Sequence, residues 1–157
     1  MTSRISLSRS PPSIVTAGTI VSSVLAVQTQ GAGFVDLTRE VAKFADEVSA
    51  SDGALTLFVR HTSASLTIQE NADPSVLDDL MTALDRLAPQ NAGWRHDTEG
   101  PDDMPAHIRT MLTATSLHIP VLDGKLALGI WQAIYLIEHR IRPHRREIVL
   151  QFAGNVR

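Results

Sequence analysis

The sequence predicts a single α+β domain, and three features carry that expectation. The chain has 157 residues, a length that suits one domain with a substantial core of its own. Segments beginning at Thr38 and Asp73 repeat apolar residues at helical spacing, whereas the last third alternates in the manner of strands. Hydrophobic residues make up 43% and charged residues 20%, ordinary globular usage and not that of a disordered chain.

Residues 1–13 contain Arg4 and Arg9 and no acid. They are too short for an organelle presequence and lack its amphipathic face, so a flexible extension is expected there, with the domain over 14–157. Ile14 to Val27, rich in Val, Ile, Ser and Thr, reads as an opening strand broken at Gly18. Gly31-Ala32-Gly33 is a turn into a short strand at Phe34 and Val35. From Thr38, Val41, Phe44, Ala45 and Val48 predict a helix, ended by Ser51-Asp52-Gly53. Leu55 to Val59 alternates as a strand. The next strand has Ala64, Leu66 and Ile68 on one face and Ser63, Ser65, Thr67 and Gln69 on the other.

Asp73-Pro74 opens a helix, because Asp can cap orphan amides and Pro suits the first helical position. Leu77, Leu80, Met81, Leu84 and Leu87 form its apolar stripe. Pro89 to Asp103 reads as a long irregular loop, uncommon in a compact domain unless functional or disordered. A short helix follows from near Asp103, with Pro105 in its first turn and Ile108, Met111 and Leu112 expected inside. Strands are then predicted over Leu117–Val121, Leu126–Leu128, Ile130–Ile137 and Ile148–Phe152, with a hairpin turn at Asp123-Gly124. In the third of these, Ile130, Ile134 and Leu136 face one way, and Trp131, Tyr135 and Ile137 the other. Such a strand needs cover on both sides.

Composition narrows function. A net charge of −3, no long basic run and few aromatics argue against nucleic-acid binding. No apolar run approaches the roughly 20 residues of a membrane span. The chain has no cysteine, which removes disulfides, thiolate metal sites and cysteine nucleophiles together. Any metal must be held by His, Asp or Glu, and a cytoplasmic location is expected. Phosphate-loop, dinucleotide-binding and serine-hydrolase signatures are absent.

Two constellations remain as sites for chemistry. The first comprises His61, Ser63, Ser65, Glu70, Asn71 and Asp73. A continuous strand would put the His61 imidazole beside the two hydroxyls, while the plainer reading is a hairpin whose Ser and Thr satisfy turn amides. The second, WRHDTEGPDDMPAH, holds His96, Asp97, Glu99, Asp102, Asp103 and His107. His96 lies in the loop and His107 on the short helix, so a shared metal needs tertiary convergence. Otherwise Asp102 or Asp103 is a helix cap and the remaining acids are a solvated loop. His139 and His144, among Arg140, Arg142, Arg145 and Arg146, read mainly as a basic strand-end loop. The same arginines could instead grip a phosphate.

The stretches HTSASLTIQENADPSV from His61, RHDTEGPDDMPAHI from Arg95, LALGIWQAIYLIEHR from Leu126 and RREIVLQFAG from Arg145 resemble the YjbQ-like family, also called the secondary thiamine-phosphate synthase family. The likeness covers about residues 15–155 in the family's order, with Ile130 and Trp94 as departures from the usual threonine and tyrosine. It implies an α+β fold with extensive, mostly antiparallel β-sheet and a few helices, assembled as a homotrimer. It also implies a reaction joining a pyrimidine pyrophosphate to a thiazole phosphate. Its implied site residues are His61, Ser63, Ser65, Glu70, Asn71, Asp73, His96, Glu99, His107, Trp131 and Gln132.

The leading expectation is therefore an enzyme of small phosphorylated metabolites. His61, His96 and His107 would bind a divalent metal, Zn²⁺ or Mg²⁺, or hold an anion. His61, Glu70, Asp73 and Glu99 are the candidate catalytic groups, and Ser63, Ser65, Asn71, Trp131, Gln132, Arg145 and Arg146 would bind substrate. The alternatives are a metal-assisted hydrolase of a small phosphate or ester, and a non-enzymatic trimeric binding module.

Overall fold

Strands separated by most of the chain's length are hydrogen-bonded neighbours, and this long-range pairing organises the fold. The computed structural model describes residues 6–157. In chain order the elements are β1 (Thr19–Gln28), β2 (Gly33–Asp36), α1 (Thr38–Glu47), β3 (Ala50–Val59), β4 (Ala64–Glu70), α2 (Pro74–Leu87), α3 (Asp103–Leu112), β5 (Ser116–Leu122), β6 (Lys125–Leu126), β7 (Gln132–Glu138) and β8 (Arg145–Val156). They form a five-stranded sheet, β1-β8-β3-β5-β6, and a three-stranded sheet, β2-β7-β4. Every pairing is antiparallel. The expected α+β class with antiparallel sheets is the fold observed.

The core lies between the two sheets. Leu55, Leu57 and Val59 of β3 and Ile148, Leu150 and Phe152 of β8 meet Leu66 of β4 and Ile134 and Leu136 of β7, with Val41, Phe44 and Ala45 of α1 closing the cluster. Burying each large apolar side chain contributes about 1.5–3 kcal/mol. On the other face of the three-stranded sheet, Thr113 at the end of α3 donates to the buried Ser65. Residues Ala133 to His139 are all buried by the chain itself. The doubly apolar strand thus finds both its covers at home and is no argument for a neighbouring subunit.

Several boundaries differ from the sequence expectation. Regular pairing begins only at Thr19, and the exposed residues 6–18 belong to no element; the first five residues of the expected extension lie outside the described residues. The α1 helix ends at Glu47, followed by Ser49 in the left-handed region at φ 54°, and Ser51-Asp52-Gly53 falls inside β3 as a bulge. There Gly53 faces Gly154 so closely that a Cβ on Gly154 would stand 2.2 Å from the Asp52 carbonyl oxygen. Only Leu84 of the α2 stripe is buried, and Leu87 is exposed. The α3 helix buries Asp103, Pro105, Ala106 and Arg109, leaving Met111 and Leu112 outside. Its anchors are polar ion pairs, which apolar periodicity does not reveal. Ile130 and Trp131 precede β7 and are exposed. No helix among the described residues is long and apolar enough to cross a membrane.

Candidate metal centre

Asp103 and His107 are one helical turn apart on α3, so their side chains share a face. The loop before the helix brings His96 to the same place. His96 Nε2 lies 2.8 Å from Asp103 Oδ2, and His107 Nε2 lies 3.5 Å from that same oxygen. The imidazole centroids are 5.5 Å apart. One ligating atom from each of the three residues falls within 4.8 Å of the others.

The protein fixes the far side of each group. His107 Nδ1 donates to the Thr62 carbonyl at 2.9 Å, which puts the ring proton on Nδ1 and leaves Nε2 with a free lone pair. Arg140 donates through Nη1 to Asp103 Oδ1, through Nε to Asp102 Oδ2 at 3.0 Å, and through Nη2 to the Glu99 carbonyl at 2.7 Å. Asp103 thus keeps Oδ2 for the imidazoles. Donors held about 2.1 Å from a common ion stand about 3.0–3.4 Å apart in tetrahedral or octahedral geometry. The observed 2.8 and 3.5 Å separations lie close to such edges, so the residues fit a metal.

Asp102 makes no side-chain cap to α3; its Oδ2 also accepts the Ile141 amide at 2.9 Å. Burial alone would raise its pKa, but the Ile141 amide and the Arg140 guanidinium outweigh burial and hold the carboxyl below its ordinary value. Glu99, Asp102, Arg140 and Arg142 line an adjoining cavity of about 580 Å³.

Beneath this centre lies a buried polar layer. Glu138 accepts from Arg146 Nε and Nη2 at 2.7 and 2.6 Å and from Thr29 Oγ1 at 2.8 Å, and also takes the Arg140 amide at 2.9 Å. Desolvation pushes the Glu138 pKa up, yet these donors prevail and keep it low. Arg140 is therefore tied at its backbone to Glu138 and at its side chain to the centre. The sequence offered Asp103 only as one acid of the loop constellation or a helix cap, and Arg140 only as part of a basic strand-end cluster. The available signal was the spacing of four between Asp103 and His107, which the helix-cap reading of Asp103 obscured.

Of the expected metal-ligating histidines, the structure brings His96 and His107 together and supplies Asp103 as the third donor. His61 stands apart from this trio: its Nε2 accepts the Glu147 amide at 2.8 Å. The continuous strand that would align His61, Ser63 and Ser65 is interrupted, because β3 stops at Val59 and β4 starts at Ala64. Ser65 is fully buried, between Thr113 and His139, and Ser63 Oγ accepts from Arg146 at 3.0 Å. Arg146 is held through Nε and Nη2 by Glu138 and Ser63, while Arg145 is exposed and paired with Glu147 at 2.5 Å. Asp73 is exposed and caps α2, accepting the Ser75 amide at 2.9 Å. His139 is buried, contrary to the basic-loop expectation.

Glu70, Trp131 and Gln132 line a separate cavity of about 460 Å³, and the Asn71 amide donates to the Trp131 carbonyl beside it. Glu70 pairs with Gln132 at one end of the three-stranded sheet, and Ala64 with Glu138 at the other. Six strand steps put about 20 Å between those ends.

The model of the family described as "UPF0047 protein YjbQ-like" matches residues 23–155. A UPF0047 protein of Synechocystis is 48% identical over 134 residues, covering 85% of this chain and 91% of that protein. The UPF0047 protein YjbQ of Escherichia coli is 41% identical over 131 residues, covering 83% and 95%. A crystal structure of a YjbQ/UPF0047 protein from Clostridium acetobutylicum superposes with a TM-score of 0.77 at 37% identity, covering 83% of this chain and 98% of that one.

Proposed function

We propose that this chain, which belongs to the YjbQ-like UPF0047 family, is an enzyme of small phosphorylated metabolites built on a divalent-metal centre of His96, Asp103 and His107. One observation carries the reading. Two imidazole Nε2 atoms meet a single carboxylate oxygen, while the protein already holds His107 Nδ1 and Asp103 Oδ1. Two imidazoles and one carboxylate favour Zn²⁺ or a similar first-row ion over Mg²⁺, which prefers oxygen donors.

When bound, such an ion supplies charge stabilisation to phosphate oxygens. Thr62 and Arg140 orient the donors around it, and Glu99, which lines the adjoining cavity, would be a candidate catalytic carboxylate. Within this class, the reaction implied by the family resemblance joins a pyrimidine pyrophosphate to a thiazole phosphate. Its departing pyrophosphate needs charge stabilisation more than a protein nucleophile.

The proposal includes a homotrimer. Exposed apolar side chains at Leu87, Met111, Leu112, Ile130 and Trp131 support assembly. So does the remoteness of Glu70, Asn71, Trp131 and Gln132 from the metal centre within one chain, which contact between chains would remedy. The functional test is product analysis on untagged, chelator-stripped protein offered small phosphorylated substrates. Turnover should return with Zn²⁺ and be absent in His107→Ala. Turnover by the stripped parent, or equal turnover by the Zn²⁺-loaded parent and the variant, would refute the reading.

A further inference from the structure

His61 and its neighbours form a second polar cluster, joined to the proposed metal centre through one residue. Thr62 receives the His107 Nδ1 proton on its carbonyl, and it also lines a cavity of about 460 Å³ with Arg60, His61, Ser63, Thr115 and Arg146. The Glu147 backbone amide can only donate, so at 2.8 Å it makes His61 Nε2 an acceptor. The neutral ring must then carry its proton on Nδ1. Among the described residues, the one side-chain hydrogen bond of His61 is the one at Nε2. His61 is thereby a donor of fixed direction.

The charges around it favour an anion. Glu147, whose amide holds His61, pairs with both Arg60 and Arg145, at 3.3 and 2.5 Å. Glu138 is matched by Arg146 at 2.6 Å. Three guanidinium groups against two carboxylates leave one positive charge, and Arg60 is the exposed one at the cavity. Burial and then Arg146 lower the His61 pKa, which keeps the ring neutral and the Nδ1–H arrangement intact at neutral pH. Thr62 and Thr115 add exposed hydroxyls to the wall. A guanidinium, an imidazole N–H and two hydroxyls give more donors than a carboxylate can use, and suit the oxygens of a phosphate.

The geometry points to a phosphate subsite beside the metal centre, in which His61 donates through Nδ1 and Arg60 supplies the charge. Its place in a metabolite enzyme rests on the proposed function, but its affinity for phosphate does not require the metal. Arg60, absent from the residues the motifs marked, becomes a binding residue, and His61 becomes a hydrogen-bond donor.

The test is an inorganic phosphate titration of ¹⁵N-labelled protein in chelator, read from the His61 ring nitrogens. Running it without metal separates failure of this subsite from failure of the metal reading. The free protein should show the proton on Nδ1, and phosphate should shift that resonance. His61→Leu removes the Nδ1 donor without supplying another. Arg60→Gln alters an exposed side chain and leaves the buried layer intact. Each should weaken phosphate about tenfold or more, as expected for loss of a charge-assisted hydrogen bond. A proton on Nε2, absence of binding at millimolar phosphate, or unchanged affinity in both folded variants would overturn the proposal.

Discussion

Acidification from about pH 7.5 to about pH 5 should cost the fold about 2 kcal/mol through one buried side chain, His139. The ring is 1% exposed, its Nε2 lies 2.8 Å from Ser65 Oγ, and its Nδ1 has no partner among the described residues. Burial first, and then Arg109, lower its pKa from 6.5 to about 4. The unfolded chain takes up the proton near pH 6.5, whereas the folded chain resists it until about pH 4. Stability from this group is therefore complete above the unfolded value and is lost as pH falls toward the folded one. Each unit of pKa difference is worth about 1.4 kcal/mol, so the full loss approaches about 3.5 kcal/mol, with about 2 kcal/mol spent by pH 5. Urea unfolding in chelator at the two pH values, on the parent and His139→Gln, isolates the effect. The glutamine amide can still reach Ser65 but does not titrate, so the parent should lose about 2 kcal/mol more than the variant. Equal losses would refute the assignment of His139 as a buried neutral imidazole.

Glu138→Gln should lower stability by about 3–5 kcal/mol, because it leaves the buried Arg146 without its carboxylate. Thermal or denaturant unfolding measures this, and a loss below about 1 kcal/mol would show that the pair is not the anchor described. Light scattering on untagged protein should report a mass of about three chains, with a clean monomer at micromolar concentration contradicting the assembly.

The sequence made the regular framework legible because its signals are local. The Asp73-Pro74 helix start, the Asp123-Gly124 turn and the alternation around Ile134 each correspond to an observed element. Burial was harder to read. The stripe from Leu77 to Leu87 has the periodicity of a core helix, yet only Leu84 is buried. The α3 helix is held instead by Asp103 and Arg109, whose partners lie at Arg140 and Asp85. Periodicity shows which face is apolar, not whether anything covers it. Within the site, His96 and His107 stood out as histidines in a long loop and the helix after it. Asp103 was hidden as one acid among several, and Arg140 became visible only once β7 delivered it to that loop. Ser63 and Ser65 misled because Ser in a strand signals a solvent face unless a buried partner, here Arg146 or His139, takes its hydroxyl.

Anomalous diffraction from crystals of untagged protein soaked in Zn²⁺ tests the central claim most directly. The metal centre predicts one strong peak per chain, about 2.0–2.2 Å from His96 Nε2, Asp103 Oδ2 and His107 Nε2. Asp103→Asn should weaken or abolish that peak while Arg140 keeps its contact with Asp102. No peak among these three atoms in the parent, or an undiminished peak in His107→Ala, would contradict the account.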